Sequence, residues 1–112
     1  MKKYILMASD LTDTSEKELI AYFRENKVAW WHHVPNAWLL TSKDENVGIS
    51  EIHAAVKELR PTGSTMLLLE VTSHGWAGTY PVGKNPFLWL KKVWKRDKNS
   101  RELPDGDDQS GN

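Results

Sequence analysis

The first apolar block of the chain, Tyr4-Ile5-Leu6-Met7-Ala8, has no polar interruption. Such a run suits a central strand with neighbours on both edges, and a strand is expected over Lys2–Ser9. Asp10-Leu11-Thr12-Asp13-Thr14 then reads as a turn. Leu19, Ile20 and Phe23 recur at helical spacing with Tyr22 at the margin, while Glu16, Lys17, Arg24 and Glu25 take the other side. This predicts an amphipathic helix over Thr14–Asn26. Its cap is Asp13 or Ser15, the latter in capping-box spacing with Glu18. From Val28 to Thr41 the period becomes two: Trp30, His32 and Val34 share one face, Trp31 and His33 the other, and beyond Pro35-Asn36 Trp38 and Leu40 oppose Leu39 and Thr41. Proline cannot continue a central strand and asparagine tolerates turn backbone, so this stretch is a β-hairpin. After the polar loop Ser42–Val47, Ile49, Ile52, Val56 and Leu59 mark a second amphipathic helix that Pro61 and Gly63 end. A fourth strand is expected over Thr65–Thr72.

The order so far is βαββαβ, the ferredoxin-like α+β arrangement, with one antiparallel four-stranded sheet and both helices on one face. The opposite face must then be polar or be covered by a partner. The hairpin aromatics and the apolar fourth strand favour cover, since large exposed apolar patches mark interaction surfaces. A C-terminal extension follows. His74 to Gly83 is glycine-rich and aromatic, with room for a short fifth strand and no helix. Asn85-Pro86 starts a short helix, asparagine as cap and proline in the first turn, whose apolar face is Phe87, Leu90, Val93 and Trp94. The domain is expected to span residues 1–96, and residues 97–112 to be an acidic tail without fixed structure.

Composition narrows the class. A chain of 112 residues fits one domain with a real core. It has no cysteine, which excludes a disulfide scaffold, a thiolate nucleophile and a cysteine-based zinc site. Two lysines precede an apolar run at the N-terminus, but the run is too short for a secretory leader, and no segment reaches the length of a membrane span. A cytoplasmic protein with no membrane partner is expected. The net charge of zero hides an asymmetry. Residues 97–112 carry five acids against Lys98 and Arg101, which leaves the rest of the chain basic. Lys84, Lys91, Lys92, Lys95 and Arg96 follow one another with no acid among them.

Four groups of residues could carry chemistry. Lys91, Lys92, Lys95 and Arg96 are candidate phosphate contacts for RNA or DNA, or cations that favour a helix C-terminus. Trp31 is a candidate stacking platform for a base, although the glycine-aromatic-basic signature of RNA-recognition sheets is missing; otherwise the tryptophans are core or interface packing. His32 and His33 point to opposite faces of a strand and cannot share one metal. One of them can act as a general base, with His33 the candidate. Asp10 and Asp13 end a strand and start a helix. Gly75-x-x-Gly78 lacks the lysine and hydroxyl of a phosphate loop, and no nucleophile triad is present.

The strand ending Ser9-Asp10-Leu11, the hairpin Trp30-Trp31-His32-His33-x-x-x-x-Trp38 and the closing Gly75-Trp76, Pro81 and Trp89-Leu90 resemble the small bacterial and phage proteins labelled SinR-like. That group is similar in fold to the CRISPR-associated adaptation subunit and to VapD-type toxins. The resemblance covers about residues 3–94 and implies a ferredoxin-like homodimer joined through its sheets and the segment after the fourth strand. In the nuclease relatives it implies that the aspartate ending the first strand holds a divalent metal at the dimer centre. Asp10 takes that position here, with Asp13 nearby, and magnesium is the cation suited to such carboxylates. A tyrosine usually precedes that aspartate, whereas this chain has Ser9, and the following loop is acidic rather than arginine-rich. Three functions follow as expectations: a homodimeric nucleic-acid-associated protein, a magnesium-dependent endoribonuclease using Asp10 of both subunits, or a non-catalytic interaction protein working through its free sheet face.

Overall fold

Seven strand residues and a left-handed corner set the centre of the molecule. Lys2–Ala8 forms β1, and Asp10 turns the chain out of the strand with φ 58°. A computed structural model describes residues 1–44, 46–72 and 75–94, with the backbone of 101–105. After β1 come α1 (Asp13–Glu25), β2 (Val28–Val34), β3 (Ala37–Ser42), α2 (Ile49–Leu59) and β4 (Met66–Val71). The sheet order is β2-β3-β1-β4, every neighbouring pair antiparallel. This is the expected ferredoxin-like βαββαβ fold.

The register explains which residues are buried. Leu6 stands between Trp38 and Leu68, and Tyr4 between Leu40 and Glu70. On this face Tyr4, Leu6, Trp38 and Leu40 are fully buried with Leu19 and Phe23 of α1 and Ile52 and Val56 of α2. The Phe23 ring meets Trp38 edge-on at 5.9 Å and Trp30 at 6.3 Å, so α1 is keyed to the hairpin by one phenylalanine.

Local details depart from the expectations in four places. The α1 cap is Thr12, neither Asp13 nor Ser15: its hydroxyl oxygen accepts from the Ser15 amide at 3.0 Å and donates to Ser15 Oγ. Threonine in extended backbone supplies the oxygen that the first free amides need. In the hairpin, strict alternation fails at Val34. Trp31 pairs with Leu39 but Val34 pairs with Ala37, so His32 and His33 together oppose Trp38 in a β-bulge. Val34 consequently joins the face of Ala37, away from Trp30. Pro35-Asn36 closes the hairpin, with Asn36 at φ 65°, a left-handed backbone that asparagine tolerates.

The third and fourth departures lie in the C-terminal segment. By compactness the chain divides into the units Met1–Thr72 and Ser73–Asn112. The second unit has its own packing. Phe87 contacts Trp76 at 5.5 Å and Tyr80 at 5.7 Å, and its ring lies so close over Gly78 that a side chain there would collide with it. β5 (Ala77–Pro81) is the short fifth strand that the sequence allows. Asn85 Oδ1 accepts from the Phe87 amide at 2.8 Å, as expected of a cap. The helical turn that follows is wound as a π-helix over Leu90–Trp94, with Leu90 and Trp94 buried. Where a structureless tail is expected, Arg101–Asp105 runs as β6, parallel to β5.

The Tyr4 hydroxyl is buried and has no hydrogen-bond partner among the described residues. Burial first, and then the carboxylates of Glu70 and Glu51, push its pKa up. As pH rises past the unfolded value of about 10, the unfolded chain loses this proton before the folded one does. Stability is therefore full below that pH and falls above it. Tyr4→Phe removes an unpaired hydroxyl whose burial costs about 1–3 kcal/mol. We expect the variant to match or exceed the parent in stability at neutral pH, and to lose less of it in alkali. Denaturant titrations at the two pH values measure both.

Candidate functional site

The bulge decides what the two hairpin histidines do. His32 lies parallel on Trp38, ring centroids 3.8 Å apart and planes 2° apart. Its Nδ1 is 2.7 Å from the Ala37 carbonyl. A carbonyl only accepts, so Nδ1 carries a proton and donates it to Ala37. Nε2 faces the Glu16 carboxylate of α1 at 3.9 Å. The stacking on Trp38 and the hydrogen bond to Ala37 hold the ring in place, and His32 is a structural residue. His33, the candidate base, is exposed, its ring 5.1 Å from Trp31. The histidines are thus separated, as strand geometry predicts.

Asp10 lies at the end of the sheet that also carries the hairpin turn, where the Ala8 amide donates to the Asn36 carbonyl at 2.9 Å. The topology therefore brings Asp10 and His33 to one end of the sheet, without a hydrogen bond or ion pair between them. Asp10 and Asp13 are both exposed, and Asp13 sits in the first turn of α1, where a negative charge suits the helix dipole. No hydrogen bond among the described residues orients either carboxylate. Among the described residues no three His, Asp or Glu side chains converge. Two solvated, unoriented carboxylates do not make a magnesium site within one chain, because such sites depend on partners that hold the ligands in place.

Trp31 is buried, at 8% exposure, which leaves little ring for a base to stack on. Lys91 and Lys92 are exposed on the π-helical turn. Lys95 and Arg96 lie outside the described residues.

Two features of the first unit offer more surface than these candidates. The first is the sheet face opposite the helices. There Met7 pairs with Leu67, and Ile5 lies between Leu39 and Leu69. Met7, Leu67 and Leu69 are 41%, 48% and 41% exposed. The apolar fourth strand signals this patch in the sequence. The second is the flank of α2 beside β4. His53, Lys57 and Arg60 form a stripe at helical spacing, adjoining Ser64, Thr65 and Met66 of the following loop and strand. The stripe is visible in the sequence, but its proximity to a strand edge is a property of the fold.

No helix among the described residues is long and apolar enough to cross a membrane. No family model, curated protein or solved structure matches the chain.

His32 and His33 separate experimentally. His32→Ala uncovers Trp38 and removes one buried hydrogen bond, and should destabilise the fold by about 1–3 kcal/mol. His33→Ala should stay within about 0.5 kcal/mol of the parent. Thermal unfolding followed by tryptophan fluorescence distinguishes the two.

Proposed function

We propose that this is a non-catalytic interaction protein that self-associates through the exposed apolar part of the sheet face opposite its helices. The observation that supports the reading is the cluster of Ile5, Met7, Leu39, Leu67 and Leu69, spread over β3, β1 and β4, in which Met7, Leu67 and Leu69 are exposed and Ile5 and Leu39 half-buried. Apolar side chains on a sheet face gain by leaving water, at about 25 cal/mol for each Å² buried. A two-fold pairing needs only a patch complementary to itself, and an apolar patch is. The resemblance to the SinR-like group agrees with a homodimer of this kind. Leu67→Glu with Leu69→Glu introduces charge on both sides of the axis. We expect the parent to sediment as a dimer at micromolar concentration, and the double variant as a folded monomer with an unchanged far-UV spectrum. A parent that stays monomeric at that concentration sinks the proposal.

A second reading is favoured by the adjacent exposed Lys91 and Lys92. Neighbouring cations with no acid between them suit a nucleic-acid backbone, as an accessory to the interaction role rather than as a catalyst. Each phosphate contact adds about one unit to the salt slope of binding. Lys91→Ala with Lys92→Ala should weaken RNA or DNA binding and flatten that slope; filter binding across a salt series measures it.

A further inference from the structure

We propose that the groove between α2 and the outer edge of β4 binds an extended acidic peptide segment of a partner protein, which adds to the sheet as a further strand. β4 is an edge strand, and among the described residues its only strand partner is β1. The Ser9 amide donates to the Thr65 carbonyl at 2.9 Å, which fixes the phase of the β1–β4 ladder. In an antiparallel pair the backbone groups of alternate residues point to the same side. Thr65, Leu67 and Leu69 therefore direct their amides and carbonyls toward β1, while Met66, Leu68 and Glu70 direct theirs outward. Edges of this kind are usually blunted by proline, lysine or a bulge. β4 has none of the three: its sequence is MLLLEV and its register with β1 is unbroken.

The groove beside this edge consists of two adjoining depressions that share His53. One, of about 340 Å³, is lined by Ile49, Ser50, His53 and Leu68. The other, of about 420 Å³, is lined by His53, Lys57, Arg60, Ser64, Thr65 and Met66. Among the described residues no acid lines either. Arg60 Nη1 donates to the Ser64 and Pro61 carbonyls, which holds the loop in place and leaves the rest of the guanidinium available. Lys57 is exposed and forms no ion pair among the described residues. An open strand edge flanked by a helix is the geometry by which sheets capture extended peptides. Backbone pairing supplies affinity, and alternate side chains reach the helix side and supply specificity.

The arrangement of the lining specifies the ligand. Cations stand at the Met66 end and apolar groups at the Leu68 and Ile49 end, one strand pair apart. A matching segment carries an acidic residue with an apolar residue two positions away, both facing α2. Among the described residues the only ring lining the groove is the His53 imidazole, with no tryptophan, tyrosine or phenylalanine platform for successive bases, so its chemistry favours a peptide over a single-stranded nucleic acid. This site lies apart from the free sheet face, and the inference does not depend on self-association.

The test uses a fluorescein-labelled, N-acetylated peptide of alternating pattern with a glutamate and a leucine two positions apart, titrated against the full chain. Saturable binding is expected, with slowed amide exchange at Met66, Leu68 and Glu70 but not at Leu67 or Leu69. Lys57→Glu should weaken binding about ten-fold, and replacing the peptide's glutamate with lysine should restore it on that variant. The proposal is overturned by absence of saturable binding, by equal affinity for parent and Lys57→Glu, or by protection that appears elsewhere. It is equally overturned if a single-stranded oligonucleotide, and not the peptide, gives the β4 protection pattern.

Discussion

The indole of Trp38 is the point through which the first unit is held together. It is fully buried, with the edge contact to Phe23 at 5.9 Å and the His32 ring stacked on it at 3.8 Å. Those two contacts join α1, β2 and β3 at a single side chain. The indole Nε1–H is buried with no partner among the described residues, a local penalty of about 1–3 kcal/mol. Aromatic packing, worth about 0.5–1.5 kcal/mol for each pair beyond simple burial, offsets it. The geometry also explains the bulge. Two residues must oppose Trp38 for His32 to lie on the indole while its Nδ1 still reaches the Ala37 carbonyl.

Most of this architecture is legible in the sequence. The continuous run Tyr4 to Ala8 gives the central strand. Leu19, Ile20 and Phe23 give α1, and Ile49, Ile52, Val56 and Leu59 give α2. These patterns survive because burial on one face imposes them. What escaped notice depends on partners rather than period. Nothing in Trp30-Trp31-His32-His33 marks a bulge, because no glycine interrupts the alternation and the cause lies across the ladder at Trp38. Thr12 outcompeted Asp13 as the cap because the helix starts one residue earlier than the apolar spacing suggests. β6 has a composition that argues against a strand, with Pro104 and two acids, and forms where β5 offers a backbone edge.

The candidate chemistry was legible unevenly. Asp10, Asp13 and His33 are all solvent-facing, and the fold brings them to no shared centre. The basic stripe of α2 drew no notice beforehand, because His53, Lys57 and Arg60 look like an ordinary solvated helix face until β4 is placed beside them. The molecule offers two kinds of unsatisfied surface. One is an apolar face that loses by contact with water. The other is a row of backbone groups that loses nothing in water but can exchange it for another chain. The first favours association without direction, and the second confers direction and register.

The bulge at His32 and His33 has a bearing on how far such association can extend. The sheet has two edges, β2 and β4. At the β2 edge the ladder is kinked and its imidazole is committed inward, so an incoming strand meets an irregular template. The β4 edge is regular. A sheet with two regular edges can grow end to end without limit, as fibres do. With only one, any added strand terminates the array. The extra residue in β2 therefore makes that end of the β2 edge a poorer template for a further strand than β4.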